Sequence, residues 1–214
     1  MPSEKNRFLP ASDRLVRRAE GRLAAADPIM KRLIGAQGHC PLATWEYAPF
    51  HMLANSIISQ QLSTKAAAAI KQRLTGLLPA PFAPEKFLQL SSEQLRIAGL
   101  SQAKTRYIAA LAARVCEGRL VFNDISGEDD ETVIAALSEC PGIGRWTAEM
   151  FLIFALKRLD VLAVGDVGLQ RAASLLYGKS RRSKNLLPRV AEAWRPYRSV
   201  ASWYLWKSLE RRDR

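Results

Sequence analysis

The sequence predicts an all-α fold, and two observations carry that prediction. Apolar residues recur at helical spacing in nearly every segment of the 214-residue chain, and no convincing alternating strand series appears. Short links that contain Pro or Gly join these segments, with no flexible linker or low-complexity tract between them. We therefore expect about ten helices, arranged as one domain or as two closely packed lobes.

The predicted helices follow one another along the chain. The first, DRLVRRAEGRLAAAD, is closed by Asp27-Pro28. The second stretch, HMLANSIISQQLSTKAAAAIKQRLTGLL, carries an apolar stripe that includes Leu53, Ile57, Leu62 and Ile70. Three further segments each open on a start signal: APEKFLQL, SSEQLRIAG and SQAKTRYIAALAARVCEG. The next, GEDDETVIAALS, has acids in its first turn, where the helix dipole favours negative charge.

The composition excludes several classes of protein. No apolar run approaches the roughly 20 residues of a membrane span, and the polar start MPSEKNRFLPASDR does not resemble a secretory signal. The three cysteines, Cys40, Cys116 and Cys140, are far apart and form no metal-binding or disulfide pattern. We expect a reduced, cytoplasmic protein.

Positive charge is concentrated at the end of the chain. Residues 171–214 contain 12 Lys and Arg against 3 Asp and Glu, out of a net charge of +12 for the whole protein, and the segment GKSRRSK is especially basic. A one-sided basic surface on a folded protein suggests a polyanionic partner, most simply nucleic acid. A basic face that only keeps the protein soluble is the alternative.

The stretch ECPGIGRWTAEM, residues 139–150, interrupts the helical pattern with a tight turn. Pro141 ends one helix, and Gly142 and Gly144 permit positive φ angles and a close approach to bare backbone. Unpaired N–H groups at the start of the next helix form an anion site, which suits phosphate without reading sequence. The alternative is a plain helix corner. A fainter echo, LRIAGLSQAKTRYI, places Lys104 after a corner at Gly99, as a second phosphate contact or as an ordinary corner.

Asp166 follows a helix expected over 146–158 and the loop LDVLAVGD. It lies between Gly165 and a new amphipathic helix, so it is well placed as an N-cap. Capping and catalysis are compatible at this position, because the cap fixes the carboxylate at a helix start.

These segments together resemble the helix-hairpin-helix (HhH-GPD) DNA glycosylase superfamily. The motifs are LSECPGIGRWTAEM, VLAVGDVGLQRA and NSIISQQLSTKAAAAI, and the resemblance spans roughly residues 27–207. It is closest to the 3-methyladenine DNA glycosylase II family, in a short form without the N-terminal β domain. The resemblance implies two helical lobes with a DNA-binding cleft between them. Lobe one would be about 46–162, a six-helix barrel with the hairpin at 137–150, and lobe two about 1–45 plus 163–214.

The resemblance also implies an activity and its partner. Such enzymes flip a damaged base out of duplex DNA and hydrolyse its N-glycosidic bond. The essential aspartate of the family corresponds to Asp166, which would stabilise positive charge on the sugar and position water. Alkylated purines such as 3-methyladenine and 7-methylguanine are the implied substrates, in base excision repair. Trp146 stands where strand-cleaving relatives have a lysine, so no abasic-site lyase activity is expected. We expect a monomer that binds damaged double-stranded DNA and no membrane.

The remaining site residues are carried over from the family position by position. No cofactor is expected to be required, although the backbone carbonyls of Ser138, Cys140 and Ile143 match a structural site for a monovalent cation. Aromatic and apolar residues around the base pocket would be Trp146, Trp206, Trp45, Tyr47 and Met150, with plain core as the alternative for the tryptophans. DNA-binding residues would be Pro141, Gly142, Ile143, Gly144, Arg145, Thr147, Gln61, Leu62, Ser63 and Lys104, of which Gln61 and Leu62 match the intercalating wedge.

Three other functions fit parts of this pattern. The hairpin also suits a non-catalytic DNA-binding or damage-sensing module, although an acidic Asp166 facing DNA would then bring no benefit. A glycosylase for etheno, deaminated or oxidised bases would differ only in its pocket. A basic all-α scaffold protein would show no salt-dependent DNA binding, whereas a glycosylase would.

Overall fold

Every regular element in the described part of the chain is helical. The computed structural model describes residues 10–178 and 185–210, without the side chain of Thr64, so most of the basic segment GKSRRSK lies outside the described residues. The all-α prediction is confirmed for these residues, none of which forms a strand, and two short 3₁₀ helices occur at Pro41–Ala43 and Glu192–Trp194. The α-helices are α1 (Asp13–Ala26), α2 (Pro28–Gln37), α3 (Pro49–Ser59), α4 (Thr64–Leu77), α5 (Pro84–Leu88), α6 (Ser92–Ala98), α7 (Gln102–Cys116), α8 (Phe122–Ser126), α9 (Asp130–Ser138), α10 (Arg145–Phe154), α11 (Val167–Tyr177), α12 (Leu186–Ala191) and α13 (Arg198–Glu210). No helix in these ranges combines the length and apolar character that a membrane crossing requires.

The described residues fall into two compact units. One is Glu46–Phe151, here called the hairpin unit, and the other comprises the described parts of Met1–Trp45 and Leu152–Arg214, here called the aspartate unit. The chain changes unit inside α10, so this division falls after Phe151, earlier than the boundary near residue 162 that the predicted lobes gave; the lobes themselves stay a prediction. The last residue of that helix, Phe154, packs against Trp45 and Trp206, which both belong to the aspartate unit.

The long second stretch of the sequence is two helices rather than one. α3 ends at Ser59 and α4 begins at Thr64. Gln61 between them has a φ of 55°, a left-handed conformation that cannot continue a right-handed helix. The Ser63 hydroxyl accepts a hydrogen bond from the Ala66 N–H at 3.2 Å and so caps the new helix.

The helix that starts the second half of the hairpin is shorter than expected. α10 ends at Phe154 and not near residue 158. Lys157 lies in the left-handed region at a φ of 55°, and the Arg158 N–H turns back to the Leu152 carbonyl at 2.9 Å. The Lys157 ammonium donates to the Ala43 carbonyl at 3.0 Å, which holds this reversal in place.

A buried carboxylate organises the core of the aspartate unit. Oδ1 of Asp27 accepts from the first N–H groups of α2, at Ile29 and Met30. Oδ2 of the same residue accepts from the Tyr177 hydroxyl at 2.7 Å and from the Trp194 indole N–H at 2.9 Å. Residues far apart in sequence therefore share one acceptor, and Trp194, which is fully buried, belongs to the core.

Candidate functional site

The hairpin predicted at 137–150 is present in the hairpin unit. α9 ends at Ser138, a short turn follows, and α10 begins at Arg145. Within the turn the Ile143 N–H donates to the Cys140 carbonyl at 3.0 Å, and both of these side chains are buried. Pro141 and Gly144 are exposed, so the turn presents backbone outward at the start of α10.

The two glycines of the turn serve different purposes. Gly142 has a φ of 85°, and a Cβ atom there would lie 2.5 Å from Cδ2 of Tyr107, so both conformation and space require glycine. A Cβ atom on Gly144 would meet no atom within 4 Å, and its φ is not in the left-handed region. The fold therefore gives no steric reason for glycine at position 144, whereas close approach of another molecule to the backbone would.

The arginine beside the hairpin is paired with acids of its own unit. Two guanidinium nitrogens of Arg145 donate to the carboxylate of Glu131 at 2.9 and 2.5 Å, and Nε donates to Glu149 at 3.1 Å. The hydrogen bonds with Glu131 raise the pKa of Arg145 further above its already high value. Two carboxylates of the same unit therefore largely balance the positive charge of Arg145, and its contact with DNA stays a prediction.

Lys104 holds a helix end and does not point outward to a phosphate. Its ammonium donates to the carbonyls of Ile58 and Gln60, both at 2.7 Å, where α3 has run out of backbone partners. Burial lowers the pKa of this half-buried lysine. The side-chain amide of Gln60 in turn donates to the Gly142 carbonyl at 2.7 Å. These hydrogen bonds join the end of α3 to the hairpin, and the phosphate contact expected at Lys104 stays a prediction.

The segment predicted to form the wedge is exposed at the α3–α4 turn. Gln61 is exposed in its left-handed conformation, and the side chain of Leu62 is 39% exposed although it continues an apolar stripe in the sequence. Ser63 is exposed, with its hydroxyl used as the cap of α4. The structure thus presents Gln61 and Leu62 at the surface, as a wedge requires, and their insertion into DNA stays a prediction.

The first residues of α10 divide between surface and core. Trp146 is 45% exposed, whereas Thr147 is 3% exposed and Met150 is 6% exposed. The side chain of Thr147 is thus buried, and the DNA-binding role of this residue stays a prediction. The pocket roles of Trp146 and Met150 stay predictions, as does that of Tyr47, which is 43% exposed in the same unit.

Asp166 lies in the aspartate unit, at the start of α11, and is 8% exposed. Its Oδ1 accepts from the Leu169 N–H at 2.7 Å, which is the predicted N-cap. The same oxygen accepts from the indole N–H of Trp206 at 3.0 Å. The preceding loop is fixed as well, because the Gln170 side-chain amide donates to the Val164 carbonyl at 2.8 Å. Two donors and a tied loop give the carboxylate a defined orientation.

An aromatic row extends from the indole beside Asp166. The Trp206 and Phe154 rings lie 5.8 Å apart between centroids, and the Phe154 and Trp45 rings lie 5.3 Å apart. Trp206 and Trp45, both predicted for the base pocket, are therefore brought together through a residue that the sequence analysis did not single out. The signal for Phe154 was its position on the hairpin helix four residues after Met150, a helical neighbour of a predicted pocket residue.

The candidate cation site consists of backbone carbonyls at the hairpin. The Cys140 carbonyl already accepts from Ile143, but a carbonyl oxygen has two lone pairs and can also face a cation. Ser138 is the last residue of α9, where helix carbonyls lack intrahelical partners. This donor set fits a hard monovalent ion, and the buried Cys140 thiol, whose pKa is raised by burial, adds no ligand to it. The site stays a prediction.

Comparisons with known proteins point in one direction. Residues 54–196 match the family described as the HhH-GPD superfamily base excision DNA repair proteins. The chain is 31% identical over 205 residues to DNA-3-methyladenine glycosylase 1 of Schizosaccharomyces pombe, an alignment that covers 92% of this chain and 89% of the relative. It is 28% identical over 209 residues to DNA-3-methyladenine glycosylase 2 of Escherichia coli, covering 92% of this chain and 67% of the relative.

Solved structures agree. A crystal structure of DNA-3-methyladenine glycosidase from Bacillus halodurans superposes with a TM-score of 0.77 at 44% identity, covering 89% of this chain and 88% of the other. The Schizosaccharomyces pombe 3-methyladenine DNA glycosylase in complex with abasic DNA superposes with a TM-score of 0.80 at 31% identity, covering 90% and 97%.

Proposed function

The chain belongs to the HhH-GPD superfamily of base excision DNA repair proteins, and we propose that it is a DNA glycosylase that excises alkylated purines. The observation that carries the proposal is Asp166, a nearly buried carboxylate oriented by two donors at a helix start. Relatives named as 3-methyladenine glycosylases align over most of the chain. One similar structure contains abasic DNA, which is what remains once a base has been cut from the sugar.

The carboxylate supplies the chemistry of bond cleavage. As the N-glycosidic bond of a flipped nucleotide breaks, positive charge develops on the deoxyribose, and an anionic Asp166 stabilises it. The same group positions the water that attacks the sugar and accepts its proton. A 3- or 7-methylated purine already carries positive charge, so it leaves without protonation by a strong acid. This chemistry agrees with a site built around one carboxylate.

The aromatic row of the aspartate unit provides the attraction for a cationic base. Faces of Trp and Phe rings attract cations by about 0.5–2 kcal/mol, more when water is excluded. Trp206 and Trp45 are held in the row by Phe154, so we assign them to the base pocket together with Phe154 itself. This arrangement would select alkylated purines, because neutral bases gain no cation–π attraction from the rings.

The hairpin anchors the DNA backbone. Exposed backbone N–H groups near Gly144, at the start of α10, suit a phosphate. The carbonyls of Ser138, Cys140 and Ile143 would hold a monovalent ion, which would add positive charge for the phosphate and take no part in the chemistry. Trp146 occupies the position at which strand-cleaving relatives carry a lysine. We therefore propose a monofunctional enzyme that leaves an abasic site in an intact strand.

The experiment that tests the function uses duplex DNA treated with a methylating agent. Purified protein without added cofactor is incubated with it, released bases are separated by chromatography, and strands are run on a gel before and after alkali. We expect free methylpurines and breaks only after alkali. Breaks without alkali would overturn the monofunctional assignment, and absence of any released methylpurine would overturn the substrate assignment.

The Asp166→Asn variant tests the catalytic role cleanly. Asparagine is also a good N-cap and keeps a side-chain oxygen for Leu169 and Trp206, so the fold should persist while the charge is lost. We expect excision to fall by about 10²-fold or more with DNA affinity unchanged. Near-normal excision by this variant would refute the catalytic assignment.

The Gly144→Val variant tests the hairpin, because the added side chain points into open space in the protein. Its free energy of unfolding should change little, whereas its affinity for every duplex, damaged or not, should fall. An unchanged affinity would make the hairpin an ordinary corner.

A further inference from the structure

Three groups meet within van der Waals distance at the start of α11. The indole N–H of Trp206, on α13, donates to Oδ1 of Asp166 at 3.0 Å. Gly168 lies beside this hydrogen bond: a Cβ atom built on it would be 3.1 Å from Oδ1 of Asp166, and 3.3 and 3.5 Å from Cδ1 and Nε1 of Trp206. Gly168 therefore leaves the space in which indole and carboxylate meet.

The backbone gives no other reason for glycine at this position. Gly168 is a helical residue of α11, and its φ is outside the left-handed region. Gly168 is the second residue of this helix, where alanine is still a better helix former than glycine. Helix propensity therefore favours alanine at position 168. Its Cβ atom, however, would lie only 3.1–3.5 Å from Asp166 and Trp206, so these side chains would have to move.

The indole cannot move away without a cost. The Trp206 ring packs against Phe154, which packs against Trp45, and the three rings form the row described above. Asp166 is held from the other side by the Leu169 N–H at 2.7 Å. A methyl group on Gly168 would push between these two side chains, and the hydrogen bond from Trp206, at 3.0 Å longer than that from Leu169 at 2.7 Å, is the contact we expect to lengthen.

We propose that Gly168 and Trp206 are positioning residues for the catalytic carboxylate. Because Gly168 has no side chain, the indole of Trp206 can lie close enough to Asp166 to donate to Oδ1. This hydrogen bond sets the plane of the carboxylate that faces the sugar and the attacking water. Trp206 then acts on the reaction through Asp166 in addition to lining the pocket. This inference rests on the proposed glycosylase function, in which Asp166 is the catalytic group.

Two variants and two matched controls test the proposal. Trp206→Phe keeps an aromatic ring against Phe154 and removes the N–H, and Gly168→Ala adds one methyl group. Trp203→Phe, on the same helix, and Gly21→Ala, a helical glycine of the same unit with no atom within 4 Å of its Cβ, are the controls. Single-turnover excision of a methylpurine and affinity for abasic duplex DNA are measured for each.

The expected result separates rate from binding. Excision should fall by about 10- to 100-fold for Trp206→Phe, the effect of losing a hydrogen bond to a charged group, and by about 10-fold for Gly168→Ala, with affinity for abasic DNA within about 2-fold of wild type. The two controls should match wild type.

A spectroscopic signature makes the geometry testable without activity. The indole ¹⁵N–¹H resonance of Trp206 is the one missing from the Trp206→Phe spectrum. It should shift in Asp166→Asn and in Gly168→Ala and stay in place in Gly21→Ala.

The outcomes distinguish the inference from the function it rests on. Two results overturn the inference and leave the function intact. One is an active wild type with Trp206→Phe and Gly168→Ala as active as their controls. The other is an indole resonance that does not shift in either Asp166→Asn or Gly168→Ala. If wild type releases no methylpurine but the Trp206 indole resonance shifts in Asp166→Asn and in Gly168→Ala, the substrate assignment fails. The positioning of Asp166 by Trp206 and Gly168 then stands.

Discussion

Replacing Lys104 by methionine tests whether this lysine holds the α3–α4 turn or contacts DNA. The side chain keeps a similar length and apolar stem, and it loses the ammonium that donates to Ile58 and Gln60 at 2.7 Å. Hydrogen bonds to charged groups contribute about 1.5–3 kcal/mol each. The two bonds share one half-buried ammonium and the carbonyls can be rehydrated, so we expect a loss of about 2 kcal/mol in the free energy of unfolding.

Two measurements decide between the roles of Lys104. Thermal unfolding should show a Tm lower by about 4–8 °C, given about 2–4 °C per kcal/mol for a protein of this size. Affinity for duplex DNA is measured over a series of salt concentrations, because each phosphate contact contributes about 0.9 to the slope of log K against log salt. If Lys104 holds the turn, the Lys104→Met variant should bind duplex DNA more weakly because the turn is less well ordered. The slope of log K against log salt should not change, because no phosphate contact is lost.

The control is Lys86→Met, an exposed lysine on α5 of the same unit, whose stability should change by less than about 0.5 kcal/mol. A slope for Lys104→Met shallower by about 0.9, with a Tm like that of Lys86→Met, would refute the structural role and restore a direct phosphate contact.

Three further predictions concern the folded state. Asp27→Ala should cost about 3–5 kcal/mol in urea unfolding, because the Asp27 carboxylate accepts from four donors in the core and a near-neutral effect would contradict this network. Burial lowers the pKa of His51, so the folded protein binds a proton at this residue less tightly than the unfolded chain does. The free energy of unfolding should therefore be fully retained above about pH 6.5 and decline below it. Thermal unfolding measured at several pH values should show a smaller decline for His51→Phe. Gly142→Ala should destabilise the protein by about 2 kcal/mol or more, whereas Gly76→Ala, in an open helical position, should stabilise it by up to about 1 kcal/mol; equal denaturation midpoints would refute the argument from space and φ.

The sequence predicted the helices well where local signals agree. Asp166 was predicted as a capping residue, and the Pro-Gly-Ile-Gly turn marked the hairpin. The missed break between α3 and α4 and the early end of α10 share a cause. Each depends on a non-glycine residue with a left-handed backbone, Gln61 or Lys157, which no local propensity predicts.

The candidate site divides in the same way. The position of Asp166 at a helix start follows from residues within one turn, so it could be read from Gly-Asp-Val-Gly-Leu. Lys104 was placed as a phosphate contact by the corner at Gly99, and Arg145 as a DNA-binding residue by the family resemblance. Only the folded chain shows that carbonyls and carboxylates of the same unit engage them. A positive charge in a sequence does not reveal its partner, because ion pairs form between residues separated by many helices or turns.

The sequence by itself determined that the chain is helical, that a glycine turn presents backbone outward, and that one aspartate caps the helix that follows. Helical periodicity, turn residues and capping residues act over a few neighbouring positions, so they can be recognised in the sequence alone. Only the tertiary structure decided that the indole of Trp206, 40 residues further along the chain, donates to Asp166 and that Gly168 makes room for it. That decision belongs to the packing of α11, α13 and the end of α10, because side-chain distances across helices depend on how the whole unit folds.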